Sequence, residues 1–252
     1  MGLFGLGKKN TVANAQGAST EPTRVGGKVN LTKEERVNRV NLRKNQIGQY
    51  CSGIGVLNGA KAKVGLVLDY SGSMTTLYRN GTIQEVIEQM LPLAMQFDDD
   101  GNMETWLFDD GFHRLPDINL NNFDGYIERE AKFRMGCTNY APVMKDVEQA
   151  YMGENPVTLP SYVIFITDGD NADYRETEAF IKQVSTKPIF WQFVGIGKTS
   201  FAFLEKLDNL EGRYVDNANF FKVDKPSDIT YETLLAEFPS WLSNPNVQAM
   251  FR

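Results

Sequence analysis

Asp69-Tyr-Ser71-Gly-Ser73-Met sets a carboxylate and two hydroxyls at every second position, directly after the apolar run Val64-Gly-Leu-Val-Leu68. Two more polar clusters follow downstream: Thr138 in Gly136-Cys-Thr-Asn-Tyr140, and Asp168 in Ile166-Thr-Asp-Gly169. Three chemistries compete for such residues. Asp, Ser and Thr are the common helix N-caps, since their oxygens accept from free N–H groups of the first turn. A serine becomes a nucleophile when a base stands beside it. Oxygens converging from separate loops suit a hard divalent cation, which takes about six oxygen ligands and keeps water where the protein leaves room.

The nucleophile has little to work with. His113 is the sole histidine, and neither Ser71 nor Ser73 sits in a Gly-x-Ser-x-Gly elbow. An aspartate phosphatase wants a second carboxylate two positions on, where the chain has Ser71. Gly197-Lys-Thr199 suggests a phosphate loop, but Gln192 occupies the place of its first glycine, so Gly197 reads as a strand end. Asp98–Asp100 and Asp168/Asp170/Asp173 read as solvated acidic loops, and the EF-hand spacing is absent. Tyr70, Met74 and Tyr140 flank the candidate cation position, either touching a ligand or packing. Cys137 reads as a small buried residue in a tight loop, with a redox role as the alternative.

Composition places no obstacle before a soluble domain. Of 252 residues, 42% are apolar and 23% charged, ordinary for a globular chain. No run approaches the roughly 20 apolar residues of a membrane span and no secretory leader opens the chain, so a cytoplasmic protein is expected. Cys51 and Cys137 have no metal or disulfide spacing. Charge is asymmetric: residues 1–63 hold 11 Lys/Arg against 3 Asp/Glu, and the remainder 15 against 29. A basic arm of that kind can meet nucleic acid, an anionic surface or an acidic face of its own chain.

The elements that must position these residues can be read from periodicity. Residues 1–29 carry too little apolar surface to offset ordering entropy and read as a flexible basic tail. Thr32-Lys-Glu-Glu35 is a capping box opening a basic helix over about 33–50, within an N-terminal segment 30–60 that packs weakly or on an acidic partner. Strands are expected at 64–68, 104–108, 162–167, 188–194 and 220–223. Helices are expected at 82–97, 122–130, 143–151, 176–184, 203–210 and 231–242, with a loop holding His113 and Pro116. Alternating strands and helices predict an α/β, Rossmann-like three-layer sandwich: a mostly parallel sheet with helices on both faces and ligands at the strands' carboxyl ends.

Asp69-x-Ser71-x-Ser73 with downstream Thr138 and Asp168 in Ile-Thr-Asp-Gly resembles the metal-ion-dependent adhesion site (MIDAS) of the von Willebrand factor A family. The resemblance covers roughly residues 62–225. Within the family, the phrases around Asp69, Phe108-Asp-Asp and Gly136-Cys-Thr-Asn-Tyr-Ala-Pro142 look most similar to the intracellular bacterial branch linked to tellurium resistance and stress response. The resemblance implies a von Willebrand fold over 61–252 with a C-terminal helix, and Mg2+, Mn2+ or Ca2+ as cofactor. It further implies that Ser71, Ser73 and Thr138 bind directly, that Asp69 and Asp168 bind directly or through water, and that a partner protein's Asp or Glu completes the shell. A non-enzymatic interaction module is the expectation. A nucleic-acid-associated factor using residues 1–63 is the alternative, and a metal-dependent hydrolase a third.

Overall fold

Val64, Leu66 and Leu68 point to one side of their strand and Val67 to the other, and all are fully buried, as alternation requires of a strand covered on both faces. The computed structural model describes residues 31–153 and 158–251, with the backbone of Arg24, Val25, Lys28 and Val29. Most of the tail expected over 1–29 lies outside the described residues. Within the unit 1–32 a short antiparallel ladder joins β1 (Arg24–Val25) to β2 (Lys28–Val29), where no strand was expected.

The second unit, 33–252, holds α1 (Lys33–Gly53), β3 (Lys63–Asp69), α2 (Thr75–Arg79), α3 (Thr82–Phe97), β4 (Met103–Phe108), β5 (Phe112–Ile118), α4 (Tyr126–Glu130) and α5 (Ala141–Met152). It continues with β6 (Ser161–Thr167), α6 (Tyr174–Val184), β7 (Ile189–Ile196), α7 (Ala202–Asp208), β8 (Ala218–Val223), α8 (Tyr231–Leu234), α9 (Phe238–Ser243) and α10 (Pro245–Met250). Strand order is β5-β4-β3-β6-β7-β8, parallel except for β5. Helices cover both faces: α1, α3 and α9 lie with Leu66 and Leu68, while α5, α6 and α7 lie with Val67 and Phe165. The expected α/β sandwich is therefore the observed fold. Its topological switch falls between β3 and β6, from which the chain order runs outward in both directions.

Three elements differ from expectation. The loop with His113 and Pro116 is β5, an edge strand on which proline is tolerated because one row of N–H groups has no ladder to join. The pairing shifts register between Met103 and Thr105, opposite the Pro116 region. The helix expected at 122–130 begins only at Tyr126, after Gly125 in the left-handed region at φ 63°. The closing helix expected at 231–242 is two short ones, α8 and α9, with Pro239 in the first turn of α9; α10, opened by Pro245, lies beyond the expected span.

Helix α1 is better anchored than its arginine-rich sequence suggests. Val40, Ile47 and Cys51, spaced seven and four apart, form a buried seam in the core it shares with α3. The acidic partner is Glu88 of α3, 1% exposed, which receives Arg36 Nη1 at 2.8 Å and Arg39 Nη2. Burial pushes the Cys51 thiol up to about 11. No helix among the described residues is long and apolar enough to cross a membrane.

Candidate metal centre

The parallel register of β3 and β6 brings the ends of both strands to one edge, Leu68 beside Ile166. Asp69 and Asp168 emerge there, at the switch point where open α/β sheets bind ligands. Asp69 is fully buried and held from three sides. Ser71 N–H donates to Oδ1 at 2.8 Å, the Thr167 hydroxyl to Oδ2 at 2.6 Å, and the Tyr78 hydroxyl to the Asp69 carbonyl at 2.8 Å. Above it the Ser71 and Ser73 hydroxyls lie 3.0 Å apart, and Ser73 Oγ donates to Asp168 Oδ1 at 2.8 Å. Four of the five candidate residues thus join in one hydrogen-bonded chain.

Thr138 reaches the same edge through its backbone. Ser71 bridges Gly136, Gly72 N–H donates to Gly136 O at 3.1 Å, and Ala172 N–H donates to Thr138 O at 2.8 Å. The loop from 136 to 140 is therefore stitched to both the 69–73 turn and the 168–173 turn. Asp173 fixes its far end, accepting from Tyr140 N–H at 2.9 Å and Ala141 N–H at 2.8 Å. Asp110 fixes its near end by accepting from Cys137 N–H at 2.7 Å.

The donor set fits a hard cation on an observation independent of motif. In an octahedral shell at 2.0–2.1 Å, neighbouring oxygens lie about 2.9 Å apart; the Ser71–Ser73 and Ser73–Asp168 oxygen pairs lie at 3.0 and 2.8 Å. These are ordinary O–H···O hydrogen-bond lengths, and they are compatible with the same oxygens sharing an ion. Burial pushes the Asp69 carboxyl up to about 6, against the pull of Ser71 and Thr167 and with a further push from Asp168. A cation would relieve that charge. Among the described residues no three His, Cys, Asp or Glu side chains gather as a metal group, so a cation held here would need hydroxyls, backbone oxygens or water for much of its shell. With only two carboxylates, a divalent ion there would remain open to one more anionic ligand.

The flanking residues resolve several alternatives. Met74 and Tyr140 are fully buried and pack, while Tyr70, 6% exposed, lines a cavity of about 830 Å3 with Tyr78 and Phe133. Neither Ser71 nor Met74 makes a side-chain cap to the turn or helix it precedes, and Ser73 bonds Asp168. Cys137 is exposed, not buried; Asp110, by hydrogen bond and charge, raises its thiol pKa and so disfavours the reactive thiolate. His113 stacks on Phe133 at 3.9 Å between ring centres. Asp98 is no solvated loop residue: it is buried and takes Lys63 at 3.0 Å. Gly72 gives the turn no essential room, because a Cβ there would meet Gly136 O only at 4.0 Å. Gly136 is the tight position, with a Cβ coming within 3.1 Å of Asp109 and Asp110.

Sequence reasoning missed Thr167 and Tyr78, and gave Asp173 and Thr199 other roles, in an acidic loop and a phosphate-loop candidate; Thr199 in fact donates to the Asp168 carbonyl. Thr167 stood next to flagged Asp168; Tyr78 carried no signal. Of the readings open to the basic arm, Arg36 and Arg39 fit the one in which it meets an acidic face of its own chain, since both pair with buried Glu88.

Residues 61–250 match the family model for the von Willebrand factor A domain found in TerF C termini. The chain is 43% identical over 205 residues to "Uncharacterized protein YcbR" of Bacillus subtilis (strain 168), spanning 78% of this chain and 84% of that protein. Among solved structures it is similar to mussel-byssus proximal thread matrix protein 1 with a zinc-occupied MIDAS motif, at 18% identity and TM-score 0.52, covering 73% of this chain and 48% of that one. It is also similar to the ArnB paralog VWA2 of Sulfolobus acidocaldarius, at 18% identity and TM-score 0.46, covering 73% and 44%. The chain spans about half the length of these two solved structures.

Proposed function

Because the chain belongs to the family of von Willebrand factor A domains found in TerF C termini, we propose that Asp69, Ser71, Ser73, Thr138 and Asp168 hold a divalent cation and that a protein partner's Asp or Glu completes its shell. Mg2+ is the first choice, with Mn2+ and Ca2+ as alternates, because every donor is a hard oxygen. The observation that carries the reading is the spacing of the Ser71, Ser73 and Asp168 oxygens above buried Asp69. The bound ion would supply an electrophilic centre for a carboxylate, and the residues' own work is to hold oxygens in place beforehand. This is a binding module: His113 stands outside the cluster, stacked on Phe133. The biological setting we assign is the cytoplasmic tellurite and stress response of bacteria, on the family's association.

Calorimetric titration with Mg2+, Mn2+ and Ca2+ tests the site. Binding is expected to vanish in Asp69→Ala and Asp168→Ala, and to weaken less in Ser71→Ala, which removes no charge. Absence of binding, or binding unchanged in both aspartate variants, would overturn it. Capture of a partner with the wild-type chain should then fail in EDTA and with Asp69→Ala.

A further inference from the structure

A cavity of about 830 Å3 borders the candidate metal turn. Thr75 is a wall common to both: its Oγ1 donates to Gly72 O at 2.7 Å and lies 3.1 Å from Met135 Sδ, and Thr75 and Met135 both line the cavity. Tyr78, another lining residue, donates its hydroxyl to the Asp69 carbonyl at 2.8 Å. A further wall is the segment 131–135, in which Ala131, Phe133 and Met135 line the cavity while Lys132 and Arg134 between them are exposed, the alternation of an extended chain. The Tyr70 hydroxyl holds that segment by its carbonyls, at 2.9 Å to Ala131 O and 3.0 Å to Phe133 O. It runs directly into Gly136, whose carbonyl accepts from Gly72 N–H at 3.1 Å. Cavity and metal turn are thus built on the same backbone.

The lining has the composition of a contact surface. Tyr70, Tyr78, Phe133, Met135 and Arg79 are residue types that protein interfaces concentrate. Phe133 is 42% exposed, so a partner covering it would remove aromatic area from water. The charge around it favours an acidic ligand. Arg79, Lys132 and Arg134 are exposed and make no ion pair among the described residues, against one such carboxylate, Glu128. Of the other charged lining residues, Arg36 and Asp124 pair with each other at 3.6 Å.

We propose that the partner presents an acidic segment whose cation-binding Asp or Glu has an aromatic or long aliphatic residue as its neighbour or next neighbour, seated in this cavity against Tyr70, Phe133 and Met135. It rests on the cation held by Asp69, Ser71, Ser73, Thr138 and Asp168, and it narrows the partner from any exposed carboxylate to one with an apolar companion. An extended chain advances about 3.3–3.6 Å per residue, so one or two residues suffice to pass the common wall at Thr75. Further carboxylates on the segment meet the field of Arg79, Lys132 and Arg134.

A random peptide library displayed on phage, panned on the full chain in Mg2+ and eluted with EDTA, tests this. The eluted sequences should be acidic and should carry Phe, Tyr, Trp, Leu or Met beside or next but one to an Asp or Glu. The most enriched peptide is then synthesised and titrated by fluorescence anisotropy. Changing its apolar residue to Gly, or Phe133→Ser in the protein, should weaken binding about tenfold or more, the effect of exposing one large apolar side chain. Arg79→Gln, on an exposed side chain that folding does not need, should weaken it by about twofold to fivefold in low salt and by less in high salt, as an exposed ion pair predicts. Calorimetry with Mg2+ should find the cation affinity of both variants unchanged, which separates the cavity from the metal turn. If the wild-type chain binds no cation, the metal reading has failed and the partner assignment falls with it. If the cation binds but no peptide of this pattern elutes, or if the Gly peptide and Phe133→Ser bind like their parents, the metal reading stands and the cavity assignment alone is overturned.

Discussion

The Arg43 guanidinium donates to Glu88 O, the carbonyl that Pro92 leaves without its helical donor. In α3 the N–H of residue 92 would serve that oxygen, and proline has none. Arg43 Nη1 reaches it from α1 at 3.1 Å. A proline inside a helix is thus offset by an arginine 49 positions earlier. Replacing Arg43 with Met should cost about 1–2 kcal/mol in urea denaturation, the worth of one charge-assisted bond to a part-buried carbonyl. In a Pro92→Ala background the helical bond returns and the same replacement should cost clearly less. Equal costs in both backgrounds would show that the two residues are not coupled.

Glu88 gives the same helix pair its electrostatic lock. Its side chain is 1% exposed, while Arg36 and Arg39 are 26% and 38% exposed. The asymmetry predicts which deletion hurts. Removing both arginines strands a buried carboxylate and should cost about 2–4 kcal/mol, below the figure for a fully buried pair because the arginines retain solvent screening. Glu88→Gln should cost less, since the arginines can turn to water. Paired denaturant melts of the two variants decide the order.

These contacts also mark where sequence was legible and where it was not. Strands β3, β6 and β7 announce themselves as apolar runs because both faces are buried, and the alternation of strands with helices leaves few topologies open. From that frame the convergence of Asp69 and Asp168 follows, since both sit at carboxyl ends beside the switch. Helix α1 was half legible: an acidic partner was one of its two readings, but its seam is only Val40, Ile47 and Cys51, and no local pattern points to Glu88 as that partner. Strand β5 was hidden because an edge strand exposes most of its residues and admits Pro116. Asp173 and Thr167 bond backbone and carboxylate groups 32 and 98 positions away, and no local pattern encodes a partner at that distance.

Glu104 supplies a pH signature away from the metal cluster. Burial raises its pKa above the ordinary 4.5, and Tyr151 donates to its Oε2 at 3.1 Å. The folded state therefore holds a proton that the unfolded chain has already released just above pH 4.5. In that window the folded state binds more protons, so stability falls as pH rises and levels off once the folded carboxyl has ionised. Glu104→Gln keeps the acceptor without the charge. Relative to wild type, this variant should gain stability between pH 4 and pH 8, and a pH-independent difference in melting temperature would contradict the assignment.

Thr167 is the residue whose loss should separate site from fold. Its hydroxyl donates to Asp69 Oδ2 at 2.6 Å, while Ser71 N–H holds Oδ1, so the carboxylate plane is fixed by one donor on each oxygen. Valine has nearly the same shape and suits β6, where every residue is buried. Thr167→Val keeps the volume but removes the donor to Asp69, together with the hydroxyl's contacts to Tyr140 Oη and Gly169 N–H, and the Asp69 carboxylate becomes free to rotate about its remaining bond. Groups that orient metal ligands are typically worth 10–100-fold in affinity. The cation affinity of Thr167→Val should fall within that range, while Thr167→Ser, which keeps the hydroxyl, should retain most of it. Unchanged affinity in Thr167→Val would mean that Asp69 needs no such support, or that the cation is bound elsewhere; the Asp69→Ala titration tells those two apart.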